Sequence, residues 1–348
     1  MNSPCTVTVS NVKHNRAEHV RGIPNTRYVE PVCLATATFL NCLSKTASRF
    51  ARGSIERVRP TRNVFGKKIR SDYPGTMILE RVIAPVFAAN CYLLAPAAGS
   101  TALVVDPGSG SVDGVLAALQ RHDLKIGAVL ITHGHADHCW DTVALLESAH
   151  AQGRTVVDAD STPVYIPEPD YYRLEDPSGY GVVTPDGLTF ADLAATPWQC
   201  PRNLLTFPET GFEQAVEFVP GIALRAIPAP GHTEGSTLYF FNAELADNTL
   251  LYEAEAEPLT SQDPALADTL HNYLVSLVGD VIFKGSVGRT DLHGGDQTQM
   301  LATLRLLAQI IDPATVLLPG HGSATTMEHE HHGNPYLAEA KIHGGEQL

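Results

Sequence analysis

From residue 77 onward, short apolar runs alternate along the chain with segments whose apolar residues have helical spacing. Val, Ile and Leu runs bounded by turn residues are typical of strands, which the sequence predicts at 77–86, 90–95, 102–106, 126–131, 155–157, 218–227, 236–241, 275–278 and 315–318. The apolar spacing predicts helices at 112–121, 139–150 and 297–311. The alternation of strand and helix in 102–150 indicates an α/β domain.

One part of this region, residues 159–212, lacks a clear pattern. Eight prolines interrupt it, so long helices and strands are not expected there. We expect a lid or a substrate-facing loop instead. Its aromatic residues either contact substrate or pin the loop to the core, and we favour pinning for Tyr171, Tyr172, Tyr180 and Trp198.

Residues 1–76 differ from the rest in pattern and in charge. They hold 13 Lys/Arg against 4 Asp/Glu, a net charge of +9, whereas residues 77–348 hold 11 against 34, a net charge of −23. Without sustained periodicity, 1–76 is predicted to be a basic, mostly disordered extension of a single domain at 77–348. A targeting segment and an upstream reading-frame extension before Met77 are the alternatives.

The six cysteines and the hydrophobic runs bear on location. The cysteines show no paired spacing and no secretory signal precedes them, which predicts reduced thiols and a cytoplasmic protein. No apolar run is long enough for a transmembrane helix, so no membrane partner is expected. Cys139 is expected to serve in packing, although a reactive or ligating thiol is the alternative.

Candidate chemistry is concentrated directly after the apolar run at 126–131. Four possible metal ligands, His133, His135, Asp137 and His138, lie within six residues. An extended backbone would point His133 and His135 to the same face, where both can bind one cation. Asp137 and His138 are adjacent and suit a second cation if the chain turns there. The alternative is a solvated loop rich in histidine, but a buried strand leading into the cluster favours metal binding.

The motif His-x-His-x-Asp-His after an apolar strand resembles the signature of the metallo-β-lactamase superfamily. Three further motifs follow in the order expected for that superfamily: residues 230–236 with His232, Gly279-Asp280, and residues 318–322 with His321. The resemblance covers about residues 77–337. It implies a four-layered αββα sandwich, with the ligands gathered along one edge where two sheets meet.

The resemblance also implies a binuclear centre. One cation would be held by the three histidines 133, 135 and 232, and the other by Asp137, His138 and His321, with Asp280 bridging both. A water shared by two divalent ions is acidified enough to be hydroxide near neutral pH, so the expected nucleophile is a bridging hydroxide, with Asp137 and Asp280 as the catalytic carboxylates. Zinc is the expected metal, with iron or manganese as alternatives. Asp106 either braces a ligand loop or is a plain turn residue.

The segment 279–296 indicates a particular branch. Members that hydrolyse β-lactams generally lack the bridging aspartate present here as Asp280. The run from Gly279 to Asp291, followed by Gly294-Gly295-Asp296, resembles glyoxalase II, whose members are hydroxyacylglutathione hydrolases and similar thioesterases. The expected function is therefore hydrolysis of a small-molecule thioester, either hydroxyacyl-glutathione or a related acyl-thiol.

Arg289 occupies the place of a basic residue that contacts glutathione in glyoxalase II. Substrate contact and a structural pairing with Asp291 or Asp296 are both open for this residue. The tyrosines that line the glutathione site in that family are not matched here. Isolated histidines, namely His122, His271 and His293, are expected to have no special role.

Two other functions compete with thioester hydrolysis. Persulfide dioxygenases of the same superfamily share the Gly-Arg-Thr-Asp segment but use one iron held by two histidines and an aspartate. A nucleic-acid-processing protein would exploit the basic residues of 1–76. The net charge of −23 in 77–348 argues against nucleic acid as a partner, because polyanion binding needs positive charge around the groove.

Overall fold

Strands from the first part of the described chain form one mixed sheet. The computed structural model describes residues 77–181, 184–207, 209–245, 248–257 and 272–342. The first sheet has the order β1 to β6, with the strands β1 (Ile78–Ile83), β2 (Asn90–Ala95), β3 (Thr101–Val105), β4 (Lys125–Leu130), β5 (Val164–Ile166) and β6 (Leu204–Thr206). β1, β2 and β3 pair antiparallel, and β3 to β6 pair parallel. The predicted extension 1–76 and most of the acidic segment 250–268 lie outside the described residues.

A second mixed sheet has the order β14-β13-β10-β9-β8-β7. Its strands are β7 (Val216–Val219), β8 (Ile222–Pro228), β9 (Thr237–Glu244), β10 (Asn272–Gly279), β13 (Val316–Pro319) and β14 (Thr325–Thr326). β10 and β13 are parallel, and the other neighbours are antiparallel. A separate hairpin is formed by β11 (Ile282–Phe283) and β12 (Ser286–Val287).

Helices connect and cover the strands. They are α1 (Val112–Arg121), α2 (Ala136–Cys139), α3 (Thr142–Ala151), α4 (Phe190–Leu193), α5 (Thr249–Ala254), α6 (Gln297–Ile310), α7 (Met327–Gly333) and α8 (Pro335–Ile342). Short 3-10 helices lie at Ala159–Ser161, Glu168–Glu175, Pro177–Tyr180 and Glu209–Phe212. No helix among the described residues is long and apolar enough to cross a membrane.

The strand period of two separates two hydrophobic layers. On β2, Tyr92 and Leu94 belong to the core between the two sheets, whereas Cys91 and Leu93 belong to the layer under the helices α1 and α3. The second sheet faces the same inter-sheet core through residues such as Tyr239, Phe241, Val275, Leu277 and Leu318. The alternation therefore gives each sheet a sheet-facing side and a helix-facing side.

The outer face of the second sheet completes the layers. Leu238, Ser276 and Val278 are fully buried on that face, so it is covered rather than open to water. α6 buries Met300 and Leu304, and the strand-to-loop segment after β8 is tied to it because the Thr303 hydroxyl donates a 2.7 Å hydrogen bond to the Pro230 carbonyl. The predicted four-layered αββα sandwich is confirmed.

Three predicted elements were wrong in detail. Residues 155–157 form no strand: Thr155 makes a single bridge to Ile126, and the carboxylate of Asp158 then caps a 3-10 turn that directs the chain away. β5 occupies the place beside β4 instead. Residues 218–227 form a hairpin rather than one strand, because Gly221 at φ 86° makes a turn between β7 and β8.

The predicted helix 139–150 is also two helices. α2 begins three residues earlier than expected, at Ala136, and ends before Asp141. The Asp141 amide donates to the Pro107 carbonyl, and its carboxylate accepts from the Gly110 amide at 2.6 Å. These bonds hold the chain against the turn after β3 and accompany the interruption between α2 and α3.

Candidate metal centre

The ends of four strands deliver the seven predicted ligands to one place. His133 and His135 follow β4, His232 follows β8, Asp280 directly follows β10, and His321 follows β13. Their ligand atoms form three groups in which every atom lies within 4.8 Å of the others: His133, His135 and His232; His133, His138 and Asp280; and Asp137, His138 and His321. The extended backbone at His135 passes directly into α2, and this turn redirects Asp137 and His138.

The first group consists of three buried histidines. His135 Nδ1 lies 2.9 Å from His232 Nε2, and the ring centroids of His133 and His232 are 4.8 Å apart. Burial lowers the pKa of His133 well below its ordinary value and lowers that of His135 to about 3. Both imidazoles are therefore neutral near pH 7, which leaves a nitrogen lone pair on each for a cation.

The group of Asp137, His138 and His321 consists of a carboxylate between two histidines. Asp137 Oδ2 lies 3.2 Å from His321 Nε2 and 3.7 Å from His138 Nε2. Burial opposes protonation of His138, but Asp137 and Asp280 outweigh it and raise its pKa well above the ordinary value. Burial likewise opposes protonation of His321, and hydrogen bonds to the same carboxylates raise its pKa to about 10. A cation entering this group would displace protons.

Asp280 lies close to the three-histidine group and also to the group of Asp137, His138 and His321. Its Oδ1 lies 3.3 Å from His138 Nε2, and its Oδ2 lies 3.6 Å from His232 Nε2 and 3.4 Å from His321 Nε2. Burial raises the pKa of this carboxyl, but the opposing effect of His138 and His321 is larger. The pKa of Asp280 is therefore well below the usual range. Asp280 is an ionised carboxylate placed between two sets of nitrogen ligands.

The residues present fit divalent cations. His133 Nε2 and His135 Nε2 are buried and have no hydrogen-bond partner among the described residues. Buried polar atoms are nearly always satisfied, so two such atoms that face one cluster indicate a missing electrophilic partner. Five imidazoles and two carboxylates form a donor set suited to zinc, iron or manganese.

Hydrogen bonds fix the orientation of the histidine rings. Asp106 Oδ2 lies 3.0 Å from His138 Nδ1, and His232 Nδ1 donates to the Arg289 carbonyl at 2.7 Å. His321 Nδ1 lies 3.1 Å from the Phe87 carbonyl. A proton held at Nδ1 leaves Nε2 free to bind a cation. The contact with His138 supports the alternative in which Asp106 braces a metal-ligand loop over the one in which it is a plain turn residue.

Asp170 was missed by the sequence analysis. Its fully buried carboxylate accepts hydrogen bonds from the Gly134 amide (2.7 Å), the Thr233 hydroxyl (2.7 Å) and the Gly235 amide (2.8 Å). Burial raises the pKa of this carboxyl, against the influence of Arg173. The carboxylate thus ties the loop of His133 and His135 to the loop of His232. The available signal was an Asp and an Arg three residues apart in the proline-rich segment.

Arg173 is buried beside Asp170 and extends this network. It forms ion pairs with Asp170 and Glu234 and donates to the His293 carbonyl at 2.9 Å. Its guanidinium also lies over the rings of Tyr172 and Tyr180, at 5.2 and 5.6 Å. The aromatic residues of the 159–212 segment therefore pack the loop, as favoured from the sequence.

The guanidinium of Arg289 is paired. It contacts both carboxylate oxygens of Asp291 at 2.7 Å, which is the structural alternative considered for this residue.

Trp198 packs against Trp140, with centroids 5.6 Å apart. Cys139 is buried, its thiol donates to the His135 carbonyl, and burial raises its pKa, in keeping with packing. His122 pairs with Glu80, His293 contacts Tyr172, and His271 lies outside the described residues.

A cleft of about 340 Å³ opens onto the cluster. Ligand side chains His135, Asp137, His232, Asp280 and His321 form part of its wall. The remaining wall residues are mainly apolar, and they are Phe87, Ala136, Gly181, Phe190, Phe283, Ser286, Val287, Arg289 and Leu292. The cleft thus gives a small molecule access to the candidate metal ligands.

The comparisons agree with this fold. Residues 84–243 match the metallo-beta-lactamase superfamily. An uncharacterized protein of Mycobacterium tuberculosis is 30% identical over 262 residues, which cover 75% of this chain and 98% of the relative. The crystal structure of BLEG-1 B3 metallo-beta-lactamase is 26% identical with a TM-score of 0.50, covering 75% of this chain and 99% of that one. Hydroxyacylglutathione hydrolase GloC of Haemophilus influenzae is 24% identical over 268 residues, 75% of this chain and 98% of the relative.

An αββα sandwich with His and Asp clusters at its edge defines a metal-binding hydrolase class. The chain belongs to the metallo-beta-lactamase superfamily, whose members are enzymes and generally hydrolases. The superfamily resemblance inferred from the four motifs is confirmed.

Proposed function

We propose that this protein is a metal-dependent thioester hydrolase of the glyoxalase II-like type. The observation that carries the proposal is the position of Asp280, whose two oxygens lie 3.3–3.6 Å from nitrogens of both ligand groups. The motif at 279–296 and the similarity to hydroxyacylglutathione hydrolase GloC support the thioester as the substrate class.

In this proposal, His133, His135 and His232 would hold one cation and Asp137, His138 and His321 would hold the other. Asp280 would bind both cations, and zinc is favoured over iron or manganese. Two divalent cations at this position would acidify a shared water and polarise a carbonyl oxygen. The negative charge of Asp280 would offset the mutual repulsion of the two cations.

The chain's own residues contribute orientation and shielding. Asp106, the Arg289 carbonyl and the Phe87 carbonyl hold the imidazole rings, so that little rearrangement is needed when substrate binds. Apolar side chains around the cleft reduce access of bulk water to the bound ester. A thiolate is a good leaving group, so no separate proton donor is required.

Location and partners remain part of the proposal. Cys91 and Cys139 are buried thiols, which supports a reducing compartment such as the cytoplasm. The net charge of −23 over residues 77–348 supports a small-molecule substrate over nucleic acid.

Replacement of Asp280 tests the proposal. The variant Asp280→Asn keeps the shape of the side chain but removes its charge, and we expect thioester turnover to fall by about 100-fold or more while the fold is retained. Turnover, metal content and circular dichroism are measured together. Asp186→Asn, which neutralises an exposed carboxylate in a turn, is the matched control and should match the wild type.

Two further assays separate the competing functions. Oxygen uptake with a glutathione persulfide would indicate the dioxygenase alternative, and cleavage of a chromogenic β-lactam would indicate the activity named for the BLEG-1 structure. Thioester activity of Asp280→Asn within a few-fold of wild type, or either alternative activity exceeding thioester hydrolysis, would refute the proposed function.

A further inference from the structure

Outside the candidate metal ligands, the cleft above the cluster contains little positive charge from the protein. Arg289 is the one Lys or Arg side chain among the described residues that line it. Five wall residues are large and apolar, namely Phe87, Phe190, Phe283, Val287 and Leu292. A bound molecule thus meets mostly aromatic and aliphatic surface outside the metal ligands.

Arg289 is engaged by a neighbouring carboxylate. Its Nε and Nη2 both lie 2.7 Å from Asp291, one on each carboxylate oxygen. This two-point arrangement is the one that a guanidinium uses to recognise a carboxylate, so Asp291 occupies the position that a substrate carboxylate would take. The hydrogen bond from Arg289 lowers the pKa of Asp291 to about 2, so the competitor stays charged through the neutral range.

Three other cations of the domain are engaged by groups that do not line the cleft. Arg173 is fully buried against Asp170 and Glu234, and the guanidinium of Arg81 is paired with Glu253. Lys284, next to the wall residue Phe283, donates its ammonium to the Glu253 carbonyl at 3.0 Å. The ranges beyond residue 77 that the structure does not describe contain no Lys or Arg in the sequence.

We propose that the preferred substrate carries its acyl group on an uncharged thiol, without carboxylate or phosphate, whose apolar part rests on Phe87, Phe190 and Phe283. This inference rests on the proposed thioester hydrolysis and narrows its substrate class. The reaction is unchanged: water adds its oxygen to the acyl carbon, the C–S bond breaks, and a carboxylic acid and a free thiol are formed. Asp291 acts as a specificity residue because it withholds Arg289 from anionic thiol carriers.

One acyl group on three thiols tests the inference. The full-length, metal-loaded protein is assayed with the lactoyl thioesters of N-acetylcysteamine, which is uncharged, of glutathione, which has two carboxylates, and of coenzyme A, which has phosphates. We expect kcat/KM for the uncharged thioester to exceed that of each anionic one by about tenfold or more, since an unpaired anion must give up hydration in the cleft. Equal values, or preference for an anionic carrier, would overturn the inference and leave the proposed function intact. If none of the three thioesters were cleaved, the proposed function itself would be overturned.

The role of Asp291 is tested separately. Asp291→Asn should release Arg289 and raise the ratio of kcat/KM for the glutathione thioester to that for the uncharged thioester by about two- to five-fold, a range set by the modest strength of exposed ion pairs. Asp160→Asn is the matched control, because it removes the same charge from the exposed pair Asp160–Arg202, which does not line this cleft. A ratio unchanged in Asp291→Asn, or raised equally in the control, would exclude Asp291 as a specificity residue.

Discussion

At the scale of single residues, the buried carboxylate of Asp170 connects two loops that are almost 100 positions apart in sequence. It accepts from the amide of Gly134, which lies between His133 and His135, and from the Gly235 amide and the Thr233 hydroxyl, which follow His232. Replacing a group that orients metal ligands typically costs about 10- to 100-fold in metal affinity or activity. Asp170 is therefore a positioning residue for the proposed centre.

Replacement of Asp170 should loosen both histidine loops. We expect Asp170→Asn to weaken metal binding by about 10- to 100-fold, because the amide cannot accept all the bonds that the two carboxylate oxygens accept. Metal dissociation constants and thermal midpoints are the measurements. Glu330→Gln is the control, since Glu330 is an equally buried carboxylate that bonds Gly285, Thr325 and Asn334 instead. If both variants lost stability equally and neither lost metal affinity, the positioning role would be refuted.

The candidate ligands were predictable from sequence, whereas the atoms that orient them were not. Spacing after a buried strand pointed to His133 and His135 because regular geometry follows from local pattern, and the motif resemblance pointed to Asp280. The partner of His232 Nδ1 is the backbone carbonyl of Arg289, and a carbonyl leaves no signature in residue type. The Arg289–Asp291 pair was one of two open alternatives, and only side-chain coordinates distinguish them.

At the scale of elements, the loop after β13 and the loop after β10 can approach each other closely only because residue 320 is a glycine. A Cβ atom on Gly320 would lie 2.1 Å from Asp280 Oδ1 and 2.7 Å from His138 Cε1, closer than non-bonded atoms approach. The Gly320 amide also donates to the Gly279 carbonyl at 2.8 Å. The two parallel strands thus place Asp280 and His321 together only if the residue before His321 has no side chain.

Addition of one methyl group at this position should disturb the site. We expect Gly320→Ala to displace Asp280 and to reduce thioester turnover by about 100-fold, the order of loss that a displacement near 1 Å causes in a catalytic site. Metal content should fall with it. Gly333→Ala is the control, because a Cβ there meets only a side-chain atom of His329 at 4.0 Å. Wild-type turnover in Gly320→Ala would show that the loops can separate without loss of function.

The strand and helix predictions succeeded where local pattern controls structure. β2 and α1 have the predicted bounds, and both pack a regular apolar face. The strand predicted at 155–157 failed because the Asp158 cap and the pairing of β5 with β4 override β-propensity. The interruption between α2 and α3 depends on Asp141 bonding to a turn 31 residues earlier, which a short sequence window cannot reveal.

At the scale of the whole molecule, the contrast in charge between residues 1–76 and 77–348 suggests a domain boundary. All seven candidate ligands and both sheets lie beyond residue 76. The predicted boundary and the predicted disorder of 1–76 stay predictions, because those residues lie outside the described ranges.

A chain that begins at Met77 tests the boundary. We expect it to fold, bind metal and hydrolyse thioesters at rates close to those of the full chain, since a segment that buries little apolar surface cannot offset the entropy of its own ordering. Thermal midpoint, metal content and turnover of both chains are compared. Unfolding or metal loss in the shorter chain would mean that residues 1–76 pack on the sandwich.

We propose that seven side chains from four strand ends form one binuclear catalytic centre. Titration of the metal-free full chain with zinc, with bound metal and thioester turnover followed in the same samples, measures this directly. Binding should saturate close to two ions per chain, with full turnover only as the second ion binds. Saturation near one ion per chain, or turnover that persists in the metal-free protein, would show that these side chains do not form such a centre.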